Sequence, residues 1–354
     1  MSMKGSALCL LMILLSMMLP FGSAVFAGEE SATVKDKAID SLHYKKGITL
    51  LSERRFSDAV QEFEAAAKEN PKSADVHYRL ALSLIMNSLQ QNSSIPARAV
   101  EELEKVISNN PGYRNAYLLL AMYHYSRCAD EKNLSNAISC YDKFITLAPG
   151  DDSSSASQVE FAKTRKAELA SLLEQARPLM KAVEKNGSDT KLLSELGEMF
   201  FSHYAFIQAE EMFRKALEIS PEDGRASLGI ARVLFEKYMI EKLEATGSGA
   251  QDRRKNNAEN AQKEIAGLAM KRNLDFAKLH EPELQQVLGC CATALSSSHP
   301  LGEAFLYRGM VYDELGEDDK ACENYRNFLT HSENAKAVDV GYAKKRIEEL
   351  TKKK

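Results

Sequence analysis

Residues 40–73 read DSLHYKKGITLLSERRFSDAVQEFEAAAKENPKS, and the spacing inside them decides the fold. After Gly47 come Leu50, Ala59, Phe63, Ala66 and Pro71, at offsets of 3, 12, 16, 19 and 24. Residues 190–223 repeat those offsets with Gly197, Phe200, Ala209, Phe213, Ala216 and Pro221. Small residues at the eighth, twentieth and twenty-seventh places of the unit let two helices approach closely. Large residues at the fourth, seventh, eleventh and twenty-fourth places fill the space between them. The proline ends the second helix and starts the next unit. One such unit cannot bury its apolar faces, so neighbours must stack.

The pattern resembles the tetratricopeptide repeat (TPR), a 34-residue helix–turn–helix unit. The resemblance covers most of residues 40–333 and implies an all-α solenoid of about six repeats. Repeat one keeps the pattern with His43 and Lys46 at its fourth and seventh places. Repeat two carries His77, Leu80, Ala81 and Leu84, then Ala99, Leu103, Val106 and Pro111, with Gln90 to Pro96 as an enlarged loop between them. Repeat three has Tyr117, Leu120, Ala121 and His124, then Ala137, Tyr141, Phe144 and Pro149. Repeat five opens with Ile230, Ala231 and Leu234, and its second helix resumes only near 283–297. Repeat six holds Phe305, Gly309, Tyr312, Ala321, Tyr325 and Phe328.

Between 152 and 189 the signature fades while helical periodicity persists through Val159, Ala162, Leu169, Leu172, Ala176, Leu179 and Val183. A degenerate repeat, with Gly187 where proline usually stands, and one long connecting helix containing Pro178 both fit. The expected segments are a leader at 1–27, a three-repeat module at 28–151, this stretch at 152–189, and a second module at 190–335. That module carries an insertion at about 240–282, longer than an ordinary turn. A capping helix at 336–354 follows, with Val338, Tyr342, Ile347 and Leu350 expected to face the last repeat.

Lys4, an apolar run from Ala7 to Leu19, Pro20, and Val25-Phe26-Ala27 before Gly28 have the form of a cleaved signal peptide. The run is short of the ~20 residues a membrane span needs. The expected destination is therefore outside the cytoplasm, of periplasmic type, with no integral span after cleavage. The formal net charge of −4 becomes −5 once Lys4 leaves with the leader. Such a chain lacks the concentrated basic surface of a nucleic-acid binder.

Cys128, Cys140, Cys290, Cys291 and Cys322 would remain, an odd number that excludes a complete disulfide framework within one chain. Cys128 and Cys140 lie in one expected hairpin, as a pair or as small packing residues. HExxH, G-x-S-x-G, P-loop, CxxC and dinucleotide-turn motifs are absent from the sequence. No enzyme, cofactor or metal is expected. His43 and His77 read as helix-packing residues.

In the TPR family the first helix of each repeat lines the inner surface, mainly through places 2, 5, 9, 12 and 13. Carried onto repeats one to three, these places hold Tyr44, Ile48, Tyr78, Leu82, Ile85, Leu118, Met122 and Tyr125. Leu51 and Met86 fall there too. So apolar a set suits an amphipathic helix or apolar peptide of a protein partner. The same places in the later repeats hold Lys191, Glu198, Arg225, Arg232, Glu236, Asp313 and Glu314, which read as a solvated surface. The function expected is an exported scaffold or adaptor that binds a polypeptide and supports an envelope assembly. A chaperone-like binder of unfolded or outer-membrane clients, or a non-catalytic subunit of an envelope enzyme, fits the same pattern.

Overall fold

The computed structural model describes residues 41–91, 94–127, 129–148, 153–246, 275–331 and 335–352. Every regular element among the described residues is helical, and the fold is a TPR-type succession of helical hairpins. The chain divides into two compact units between Arg177 and Pro178.

The first unit pairs α1 (Leu42–Ser52) with α2 (Phe56–Glu69), α3 (Ala74–Gln90) with α4 (Ala97–Asn109), and α5 (Arg114–Ser126) with α6 (Glu131–Thr146). The second pairs α8 (Thr190–Ser202) with α9 (Phe206–Ile219), α10 (Gly224–Thr246) with α11 (Glu281–Ser296), and α12 (Glu303–Glu314) with α13 (Asp318–His331). The α14 helix (Ala337–Lys352) follows them. The division falls inside α7 (Ser153–Lys185), a single 33-residue helix with Pro178 in its interior. The faded stretch is thus one continuous helix rather than a hairpin. Its apolar residues recur at helical spacing, and no turn residues interrupt them.

Close helix contact explains the small residues. A Cβ on Gly47 would lie 2.8 Å from the Phe63 ring, and one on Gly309 2.7 Å from the Tyr325 ring. Ala59, Ala99, Ala137, Ala209 and Ala321, one in the second helix of each of five hairpins, are fully buried. Any larger side chain at these points would force the helices apart.

The turns between repeats also recur. Ser73 N, Tyr113 N, Asp189 N and Asp223 N donate to the carbonyls of Asn70, Asn110, Asn186 and Ser220 at 3.1, 3.0, 3.2 and 3.1 Å. The third of these surrounds Gly187, a turn that forms without proline. Ser41, Ser73, Asp130 and Asp189 accept from amides in the first turns of α1, α3, α6 and α8. Helices of 11 to 17 residues thereby begin at fixed points.

In repeat five, α10 runs on for 23 residues, and α11 packs back against its Leu228, Ala231, Phe235 and Tyr238. Most of the expected insertion, residues 247–274, lies outside the described residues. The capping helix departs from expectation at one place. Ala343 and Leu350 are buried on the last hairpin, with Val340 and Ile347 beside them. Tyr342 rests edge-on against Tyr325, whereas Val338 is 74% exposed. Val340 occupies the apolar position because Val338 lies in the first turn, before α14 closes on its neighbour. The leader at 1–27 lies outside the described residues.

Candidate functional site

The inner-face places of the first unit come from α1, α3 and α5. Tyr44, Tyr78, Leu82, Ile85, Leu118 and Met122 are buried there, while Ile48 and Tyr125 are half-buried. The eight expected residues therefore share one register on successive first helices, but only two of them retain substantial contact with solvent.

A half-buried carboxylate joins these helices. The Tyr44 hydroxyl donates to Asp75 Oδ2, and the Tyr113 hydroxyl donates to Asp75 Oδ1 at 2.7 Å. The Tyr113 ring tilts against Tyr78 at 4.9 Å, and Tyr44 stands edge-on to Phe63 at 5.9 Å. Arg79 Nε lies 3.6 Å from Asp75 in the same buried cluster. Burial first, and then the Asp75 charge, push both tyrosine hydroxyls far above their usual range. They stay protonated and act as donors. Asp75 stands at the second place of repeat two, an inner-face place, but spacing does not reveal the cluster because Tyr113 precedes repeat three, outside the repeat signature.

The charged places of the second unit are less solvated than their composition implies. Arg232 Nη1 bonds both oxygens of Glu198 at 2.9 and 2.8 Å, and the guanidinium lies 4.2 Å from the Phe201 ring centre. Glu303 lies 3.9 Å away on the following repeat. Arg346 grips both oxygens of Asp313 at 2.7 and 2.6 Å, fixing α14 to α12. Glu314 accepts from Tyr238 at 2.9 Å and from Lys242. Burial raises the Glu236 carboxyl above its ordinary value, with Arg232 opposing the shift. Lys191 and Arg225 remain exposed, as expected. Glu198, Arg232 and Glu314 thus hold one repeat to the next, and Asp313 holds α14 to the last hairpin.

Among the described residues no group of three or more His, Cys, Asp or Glu is placed to hold a metal ion. Cys140, Cys290, Cys291 and Cys322 are free thiols. Burial raises Cys140 to about 11 and Cys291 to about 12, so both are poor nucleophiles. Cys128 lies outside the described residues, as does any pairing it makes. No helix among the described residues is long and apolar enough to cross a membrane.

Residues 44–93 and 303–332 match tetratricopeptide repeat family profiles, so both units carry such repeats. Over 187 residues, half of this chain (51%), the sequence is 24% identical to a peroxisomal targeting signal receptor of Kluyveromyces lactis. It spans only 30% of that relative's length. Among solved structures, pilF of Pseudomonas aeruginosa is similar at 13% identity, covering 90% of this chain and 99% of its own, with a TM-score of 0.28. PilW, described as a widely conserved type IV pilus biogenesis factor, is similar at 12% identity, covering 90% of this chain and 100% of its own, with a TM-score of 0.28. The repeat type implies protein or peptide partners.

Proposed function

We propose that this chain is an exported, non-catalytic scaffold or adaptor that binds a polypeptide through the inner face of its first unit and supports an envelope assembly. The observation that carries this reading is the recurrence of apolar side chains at the same places of three successive first helices. Part of this set also serves packing within the unit, as Tyr44 does against Phe63, which leaves Ile48 and Tyr125 as its half-buried members. These two form the accessible part of the face, and the six buried residues are packed beneath the surface of the unit. Stiff repeats present such a surface already ordered, which lowers the entropic cost of association. The apolar run at 7–19 and the small residues before Gly28 support export.

The test is a tagged mature chain used to recover envelope proteins, beside an Ile48→Asp/Tyr125→Asp double variant of equal helical content. A stoichiometric partner that survives washing and is lost from the double variant supports the proposal. Undiminished recovery by the double variant rejects the inner face as the site. A broad, weakly held set of unfolded chains would instead fit a chaperone.

A further inference from the structure

Four turns between repeats share one bond, from an amide to the carbonyl three residues earlier. At two of them the residue supplying that carbonyl is an asparagine followed by proline, Asn70-Pro71 and Asn110-Pro111. Before α8 the order is Asn186-Gly187, the only Asn–Gly pair in the sequence. That exchange changes the chemistry open to the turn. An asparagine side-chain amide can be attacked by the backbone nitrogen that follows it. Proline's nitrogen carries no hydrogen, which blocks the closure. Glycine's nitrogen carries one, and no side chain stands in its way.

The surroundings leave both reacting groups accessible. Asn186 follows the last residue of α7 and is exposed, as are Gly187 and Ser188. Its own amide is held, donating to the Ala182 carbonyl at 2.9 Å. Among the described residues no hydrogen bond engages the Asn186 side chain or the Gly187 amide, the two groups that must meet. By contrast, Asn110 Oδ1 accepts from Gly112 N at 3.0 Å.

We propose that Asn186 is a site of spontaneous deamidation that releases the turn before α8. Solvent hydroxide takes the Gly187 amide proton, and the nitrogen bonds to Asn186 Cγ. The Cγ–Nδ2 bond breaks, and Nδ2 leaves as ammonia with a proton from water. Water then opens the cyclic imide. Addition at Cγ gives aspartate, whereas addition at the main-chain carbonyl carbon gives isoaspartate, whose chain runs on through Cβ and Cγ. In isoaspartate the carbonyl that accepts from Asp189 N at 3.2 Å has become part of a free carboxylate outside the chain. Asp189 in turn caps α8 through Lys191 N and Leu192 N at 3.0 and 3.2 Å. The modification therefore acts where repeat four takes its register. It is independent of the partner-binding reading.

Peptide mapping of the purified chain, incubated at mildly alkaline pH, tests it by mass spectrometry with fragmentation that separates isoaspartate from aspartate. Conversion at Asn186 is expected, at least about tenfold faster than at Asn70 or Asn110, which proline protects. Gly187→Ala should slow it about tenfold, because a Cβ crowds the attacking nitrogen. That variant keeps the turn, since its Cβ would meet the Val183 carbonyl at an ordinary 3.5 Å. Gly187→Pro should abolish conversion. Faster hydrogen exchange at the Asp189 amide is expected in the aged chain and not in Asn186→Asp, which retains the main-chain carbonyl. An Asn186 that stays intact, conversion no faster than at Asn110, undiminished conversion in Gly187→Ala, or unchanged exchange at Asp189 overturns the proposal.

Discussion

His77 makes two bonds that each require a proton on its ring. Nδ1 lies 2.6 Å from Glu102 Oε2, and Nε2 lies 2.9 Å from the Pro71 carbonyl oxygen. A carboxylate and a carbonyl only accept, so satisfying both makes the ring an imidazolium. The Glu102 bond raises the His77 pKa above the ordinary 6.5, burial opposes it, the Pro71 carbonyl assists and the Lys105 charge counters weakly. Burial also works against the Glu102 charge, yet His77 and Lys105 hold that carboxyl below its ordinary 4.5. The raised histidine stabilises the fold fully below the unfolded value of 6.5, and the benefit is lost as pH rises through the higher folded value. The depressed glutamate acts oppositely, stabilising above 4.5 and losing its effect on acidification. Between those limits the pair contributes most. Melting temperature should therefore fall as pH is raised from mildly acidic to mildly alkaline, and His77→Gln should flatten that slope. An equal slope in the variant would remove His77 as its source. The histidines at the fourth places of repeats one and two were legible as packing residues, but their carboxylate partners were not. The His43–Glu62 separation of 19 residues becomes 25 for His77–Glu102 because the intervening loop is longer.

Between elements, the decisive contact is an aromatic ring seated against glycines. Phe213 of α9 is fully buried, and a Cβ on Gly197 of its own repeat would lie 2.7 Å from it. A Cβ on Gly229 of the next repeat would lie 2.5 Å away. One ring thereby gauges both the hairpin and the stack. Gly229→Ala should cost about 1–3 kcal/mol in a denaturant titration, since the ring has little room to move. Gly289→Ala is the control, because nothing lies within 4 Å of its Cβ position. It should be neutral or slightly stabilising. A second device is the turn inside the hairpin. Arg54, Tyr204 and Gly316, with φ of 59°, 59° and 73°, occupy the same place of repeats one, four and six. The following amides, Arg55 N, Ala205 N and Glu317 N, bond the carbonyls of Leu50, Phe200 and Tyr312 at 2.9, 2.9 and 2.8 Å. Each closes its first helix with a left-handed residue. Arg54→Gly should raise stability by about 0.5 kcal/mol, the relief of left-handed strain exceeding the looser unfolded chain. A loss on the same titration would contradict this. The close-packed glycines could be read from spacing because size alone decides them. The left-handed place could not, since two of its three occupants carry side chains.

For the molecule as a whole, hairpin length and stacking were written in the sequence, because a 34-residue period survives loops of variable size. The long α7 helix was not, since helical periodicity fits one helix or two equally well until turn bonds are seen. The inner-face register was also legible, but its burial was not. For Tyr44 that burial comes with a bond to the Asp75 carboxylate, 31 residues away. Export belongs to this scale as well. Amino-terminal sequencing of the protein recovered from the envelope should begin at Gly28, and a chain beginning at Met1 would contradict a cleaved leader. The most direct test of the partner-binding account places a photo-crosslinking residue, in separate chains, at Ile48, at Tyr125 and at exposed Glu101 of α4. The account predicts one discrete adduct from positions 48 and 125 and none from 101. An adduct from 101 alone, or none from 48 and 125 while a partner is still recovered, would contradict it.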